Sequence, residues 1–229
     1  MGLPLYLAVS GLEIHTIPHP ARFLLDPAQT LPPGVLPVIT DFRPLTEEAV
    51  DRLCRAAQNW ERAVLDLEHP PTPAARTLLR RLPCPAAAPP GYGDGPVFLP
   101  PAPLYVPLED YLAPWRGREI WLEAALQQQT ITVTSEGVRF SPAVPARWEG
   151  GFECRELCCR FTQEIREHQV VFTLFDTRET LQDKLARARE LGVYAALGLY
   201  CELAAHGQFR ADHSRQPIRP NGLPMTGAG

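Results

Sequence analysis

Residues 63–68 read Ala-Val-Leu-Asp-Leu-Glu. In an extended chain alternate side chains point to opposite faces, so Ala63, Leu65 and Leu67 share one side and Val64, Asp66 and Glu68 the other. Two carboxyls therefore leave one strand end in the same direction. Their i, i+2 spacing is too close for the opposed acid and base of an ordinary retaining or inverting glycosidase. It suits another division of labour, in which one carboxyl is kept protonated by its neighbour's charge and by burial and acts as general acid, while the other orients a substrate group. Two solvated acids ending a strand give the same signal, so the pair alone does not separate chemistry from surface.

The elements around the pair decide which side is which. Residues 3–9, 35–40, 63–67, 97–101, 120–125 and 193–200 are short apolar runs bounded by turn residues, and read as six buried strands. Thr46 is placed to cap a helix with Glu47 and Glu48 in its first turn and an apolar stripe of Val50, Leu53, Cys54 and Ala57. Thr72-Pro73 opens a second helix, residues 108–112 make one helical turn, and Thr177 caps a third helix along Leu181, Leu185 and Ala188 that stops at Gly192. Strand and helix alternate, which predicts an α/β fold, an abbreviated TIM-like (β/α) barrel. The period changes at residues 130–134 and 138–141, which read as a hairpin, and residues 170–175 read as a strand. Residues 153–167 fit helix or strand, the alternation leaning to strand. A small antiparallel α+β insertion over about residues 130–175, ahead of the last barrel strand, follows.

On a barrel strand whose outer side meets helices, the face of Asp66 and Glu68 is the lumen, and both acids lie at the carboxyl end where barrel enzymes keep their sites. Asp41, Glu123, Gln127 and Tyr200 belong to the same end of other strands, and with Tyr105 and Trp121 they complete the candidate substrate-binding set; Glu202 is a further polar group at the end of the last strand. Trp121 also reads as core, and His69 as a loop histidine.

Composition narrows the class. Lys+Arg 22 against Asp+Glu 26 leaves a net charge of −4 without a basic block, which argues against nucleic acid as a partner. No run approaches a membrane span, and the first ten residues lack the pattern of a signal peptide, so the expectation is a cytoplasmic protein. No dinucleotide, P-loop or nucleophile-elbow motif follows a strand, and no cofactor is expected. Cys154, Cys158 and Cys159 lack paired zinc-site spacing and read as packing residues; no metal is expected. Proline, at 26 of 229 residues, is roughly double its usual share of about 5%. It reads as punctuation of a barrel with six strands and extended connections over residues 17–37 and 83–107. The barrel and its insertion take residues 1–205 as one domain, and the polar tail 206–229 is expected to be disordered.

Two stretches carry a resemblance to a known family. The chain resembles the chitinase-like family 18 glycoside hydrolases, and within them the short spore-cortex and germination hydrolases. The family's fourth-strand pattern D-x-x-D-x-D-x-E is met by Glu61-Arg62-Ala63-Val64-Leu65-Asp66-Leu67-Glu68, with Glu61 and Val64 in place of the first two aspartates. The pattern F-x-D-x-x-S-L-x-x-K-x-x-x-A-x-x-x-G is met within residues 171–192 through Phe175, Thr180, Leu181, Lys184, Ala188 and Gly192, with Asp176 one residue ahead of the pattern's aspartate. The resemblance implies hydrolysis of a β-linked N-acetylglucosamine polymer, chitin- or peptidoglycan-like, by substrate assistance. Glu68 would protonate the leaving oxygen, Asp66 would orient the attacking acetamido group, and Tyr200 would stand for the usual floor tryptophan. Val64 removes the buried acid that shares a proton with the aspartate at position 66. A barrel that binds N-acetylated oligosaccharide without hydrolysing it, through Trp121, Tyr105 or Tyr200, is the alternative.

Overall fold

The computed structural model of the chain describes residues 2–9, 17, 19–24, 26, 29–41, 44–142 and 151–205. The tail 206–229 lies outside them. Eight parallel strands form one sheet: β1 (Leu5–Val9), β2 (Pro20–Leu24), β3 (Leu36–Thr40), β4 (Ala63–Asp66), β5 (Ala86–Ala87), β6 (Val97–Leu99), β7 (Ile120–Ala124) and, after an insertion, β13 (Ala195–Leu199). The order β5-β4-β3-β2-β1-β13-β7-β6 brings β5 and β6 to the two edges. The edges meet at one parallel bridge between Ala88 and Val97, where the Ala88 N–H donates to the Pro96 carbonyl (3.2 Å) and the Phe98 N–H to the Ala88 carbonyl (2.8 Å). The strands thus surround a lumen.

The expectation of six barrel strands is corrected to eight. β2 and β5 lie inside the two stretches read as extended connections, and prolines hid them. Pro20 starts β2, and β5 is only two residues long, flanked by Pro85 and Pro89. A proline at a strand's first residue withholds no needed ladder donor, so the punctuation marks strand starts. The barrel is economical in helices instead: the whole β5–β6 connection, residues 88–96, holds none.

Alternation along every strand sorts the side chains. Tyr6, Ala8, Ala21, Phe23, Leu36, Val38, Val64, Ala87, Phe98, Trp121, Ala195, Leu197 and Leu199 form one cluster that fills the lumen, small residues set against large ones. Their neighbours in sequence face outward into three other clusters under the helices. The helices are α1 (Glu47–Ala56), α2 (Pro73–Arg81), α3 (Leu108–Leu112), α4 (Arg178–Glu190) and α5 (Tyr200–Ala205). Thr46, Thr72 and Thr177 each accept a backbone N–H at the start of α1, α2 and α4. Gly192, at φ +87°, ends α4 in the left-handed conformation that an L side chain disfavours. None of the described helices is long and apolar enough to cross a membrane.

The insertion between β7 and α4 is a second, antiparallel sheet: β8 (Gln128–Thr134), β9 (Gly137–Pro142), β10 (Phe152–Cys154), β11 (Cys159–Arg166) and β12 (Gln169–Phe175), in the order β10-β11-β12-β8-β9. Its described residues are strands and turns. The sheet is clasped where it leaves the barrel: the Asp176 N–H donates to the Gln127 carbonyl (2.9 Å) and the Gln127 N–H to Asp176 Oδ2 (3.2 Å). Lys184, from α4, donates to both Asp176 oxygens at 2.8 and 3.0 Å, and both side chains are buried. Leu104, on the loop after β6, packs with Cys159 and Leu174 of the inserted sheet.

Candidate active site

Strand parity fixes what reaches the carboxyl end of the lumen. Val38 and Val64 are lumen residues, so Thr40 and Asp66, two positions further along β3 and β4, face the lumen too, and they pair in register. The same step along β7, from Trp121 to Glu123, places Glu123 in the lumen. Three polar groups from separate strands therefore sit above an apolar floor.

The carboxyls among them are bare. Asp66 and Glu123 are half-buried and accept no hydrogen bond from the described residues. Burial raises the Asp66 carboxyl, and the charges of Glu68 and Asp41 raise it further. Burial pushes Glu123 up to about 7, with the charges of Asp66 and Glu202 adding to it. Burial and like charges thus hold both carboxyls toward the protonated form, and Glu123, at about 7, stands where a carboxyl can give or take a proton near neutrality. Asp176 makes the contrast: burial raises its carboxyl, but Lys184, the Gln127 N–H and Thr180 surround it with donors.

Glu68 lies just past β4 and is exposed. Its backbone N–H and that of His69 donate to the two carboxylate oxygens of Asp41 at 3.4 and 3.3 Å, and Tyr92 Oη donates to the His69 carbonyl at 2.8 Å. Asp41 and Tyr92 therefore hold the loop that carries Glu68. Asp41 also lines a cleft of about 830 Å³ between α1 and α2, with His69, Leu45 and Arg81.

The other sequence candidates take separate places. Trp121 is buried toward the opposite end of the lumen, its ring 5.4 Å from those of Tyr6 and Tyr194, and its indole N–H donates to Glu119 (2.9 Å). Tyr200 opens α5 and packs against the cluster outside the barrel, while Leu199 faces the lumen. Gln127 spends its side-chain amide on the Ala102 carbonyl (3.0 Å), tying the insertion's neck to the loop after β6. Tyr105 is exposed and stacks on Phe140 of β9 with centroids 4.5 Å apart. Cys159 is buried at the insertion's seam and its thiol is pushed up to about 12, chiefly by burial. No group of described His, Cys, Asp or Glu residues is arranged to hold a metal ion.

Two groups at the mouth escaped the sequence reading. Thr40 ends an apolar run, and only its parity with Val38 signals the lumen. Tyr111, on α3, donates its hydroxyl to the Pro100 carbonyl (2.9 Å); burial, with the charge of Glu123 adding, pushes its phenol to about 12. Nothing in the local sequence marks it.

No family model matches the chain. No curated protein matches it either. Among solved structures, the chain is similar to the spore cortex-lytic enzyme SleL of Bacillus cereus, at 10% identity and a TM-score of 0.43, over 86% of this chain and 70% of that one. It is also similar to the spore cortex-lytic enzyme SleL of Bacillus megaterium QM B1551, at 11% identity and a TM-score of 0.41, over 86% and 70%. The barrel assignment itself rests on the strand order and register.

Proposed function

We propose that the protein is a glycan-acting, glycoside hydrolase-like barrel whose reaction centre is the acid group at the carboxyl end of its lumen. The observation that carries this reading is the pair Asp66 and Glu123, two half-buried lumen carboxyls that accept no hydrogen bond from the described residues, with Glu68 held beside them by Asp41. An unpartnered polar group is costly to bury, so such a pair is kept for a ligand. In the substrate-assisted scheme Glu68 protonates the leaving oxygen of an N-acetylglucosamine unit. Asp66 orients the acetamido group as its oxygen attacks the anomeric carbon, and Glu68 then deprotonates the incoming water. Release of nitrophenol from a chromogenic chitobioside tests it, with Glu68→Gln expected to lower kcat by about 10²–10⁴; hydrolysis untouched by that substitution would remove the assignment.

One observation favours a second reading, in which the barrel binds such glycans without hydrolysis. Val64 is fully buried in the lumen directly below Asp66, where the family pattern has an acid. Titration with N-acetylated oligosaccharides that shows saturable binding and no turnover supports this reading; measurable turnover excludes it.

A further inference from the structure

The β5–β6 connection, residues 88–96, supplies no helix to lie beside α2 in the outer layer of the barrel. Ala86 and Ala88 face outward there, since Ala87 between them is a lumen residue. What lies between α2 and the connection is a cleft of about 690 Å³, within the range of about 300–1,000 Å³ that small-molecule sites occupy. Its walls are of two kinds. Pro71 and Pro73 at the start of α2, Leu79 further along it, and Pro85, Pro89 and Pro96 around β5 and before β6 give rigid apolar surface. Every charged residue that lines the cleft is an arginine: Arg76, Arg80 and Arg118.

None of the three pairs with a carboxylate among the described residues, in a chain whose net charge is −4. Arg81, the next residue of the same helix, does pair, with Asp51 of α1 at 2.8 Å. Arg76 makes no hydrogen bond to the described residues, and Arg80 makes one, to the Thr77 hydroxyl at 3.3 Å. The two stand one turn apart on one face of α2. Arg118, from the other wall, is already fixed. Its Nε donates to the Gly95 carbonyl (2.9 Å), its Nη2 to the carbonyls of Gly93 (2.8 Å) and Gly95 (2.6 Å), and its guanidinium lies 5.5 Å from the Trp115 ring centroid. Neutral acceptors hold that group in place without cancelling its charge, and its Nη1 has no partner among the described residues. Asp94, between those glycines, does not line the cleft.

We propose that this cleft binds a phosphate monoester of a small ring-bearing molecule, at a site separate from the acids of the lumen mouth. A carboxylate is satisfied by one guanidinium fork, whereas a phosphate dianion offers three terminal oxygens and twice the charge to guanidinium groups arriving from two walls. Arg118, held before binding, loses little freedom on meeting it. The ring of the ligand lies on the proline and Leu79 surface. A nucleotide and a sugar phosphate share this chemistry.

The test is calorimetric titration of the full chain at pH 7.5, where an ester with a second pKa of about 6 is mostly dianionic. The probes are AMP, glucose 6-phosphate, inorganic phosphate, adenosine and glucose. At least one ester is expected to bind about tenfold or more tighter than inorganic phosphate and than its own unphosphorylated counterpart, as charge-assisted hydrogen bonds and apolar burial each supply about that factor. The tighter ester separates nucleotide from sugar phosphate. Arg76→Gln and Arg80→Gln, at exposed positions where the fold is left intact, should each weaken it about three- to tenfold, Arg118→Gln more, and 0.5 M salt should weaken it too. Glu68→Gln should leave it unchanged. Neither ester saturating below about 10 mM, inorganic phosphate binding as tightly as both esters, or affinity unmoved by both α2 substitutions overturns the inference. Affinity lost in Glu68→Gln would place the ligand at the mouth and overturn it as well, and each of these outcomes leaves the glycan reading standing.

Discussion

Replacing Glu123 by glutamine should stabilise the protein in a pH-dependent way, whatever the ligand is. The glutamate carboxyl has an ordinary value of 4.5 and stands at about 7 in the folded chain. Below pH 4.5 it is protonated in both folded and unfolded chains and distinguishes neither. Between 4.5 and 7 the unfolded chain ionises while the folded chain keeps its proton, so the favourable protonated state is lost to folding as pH rises, and above 7 the whole penalty is present. A displacement of that size corresponds to about 3 kcal/mol by linkage, and screening at a partly exposed mouth reduces it to about 1–2 kcal/mol. Glutamine keeps the shape and carries no charge. Urea unfolding of both proteins at pH 4, 6 and 8 should therefore give coincident curves at pH 4. At pH 8 the Glu123→Gln midpoint should lie higher, by about 1–2 kcal/mol in free energy. Other titrating groups largely cancel in the difference between the two proteins. An offset that does not vary with pH, or a variant less stable at pH 8, would show that Glu123 is not held protonated by its surroundings.

Two further substitutions probe how the site is carried. Lys184→Met strands the buried Asp176 carboxylate and should cost about 3–5 kcal/mol in urea unfolding near neutrality, with much of the loss recovered by adding Asp176→Asn. Full stability of the single variant would mean that the clasp at the insertion's neck is held by its backbone bonds alone. Gly198→Ala places a methyl 2.6 Å from Leu203 Cδ1 and 2.7 Å from the Ala124 carbonyl oxygen. The Leu203 tip can turn away but the β7 backbone cannot, so a loss of about 1–3 kcal/mol, read as a lower Tm, is expected; an unchanged Tm would mean that β13 and β7 separate freely.

What the sequence disclosed depended on how local the cause was. The caps of α1, α2 and α4 were legible because Thr46, Thr72 and Thr177 act within three residues of themselves. The hairpin of β8 and β9 was legible from alternation and a turn. β2 and β5 were not, because Ala86–Ala87 is strand only through its neighbours: β4 on one side and, at Ala88, β6 on the other. Tertiary pairing made that strand, and no local propensity could show it. The lumen face of Asp66 followed from period-2 alternation. The end of the barrel at which an aromatic residue sits did not follow, so Trp121 was grouped with the mouth although its stacking partners Tyr6 and Tyr194 place it toward the other end.

Protonation is the least local property of all, and it is where the site departs most from what its strand pattern suggested. A D-x-E pair read along β4 puts the interacting acids on one strand, with a third expected at position 64. Val64 fills that place with a fully buried isopropyl group, so no proton can be exchanged down the strand. The charge that acts on Glu123 comes instead from Asp66, reaching it across the lumen. These two residues are 57 positions apart in the chain and share no local pattern, yet each lies one period-2 step above an apolar lumen residue. Barrel closure turns that repeated step into a meeting of two carboxyls, and the closure depends on the short, proline-flanked β5 that the sequence least disclosed. The chemistry available at the mouth is in this sense a property of the ring rather than of the strand, and a substitution that opens the Ala88–Val97 bridge acts on the acids without touching either one.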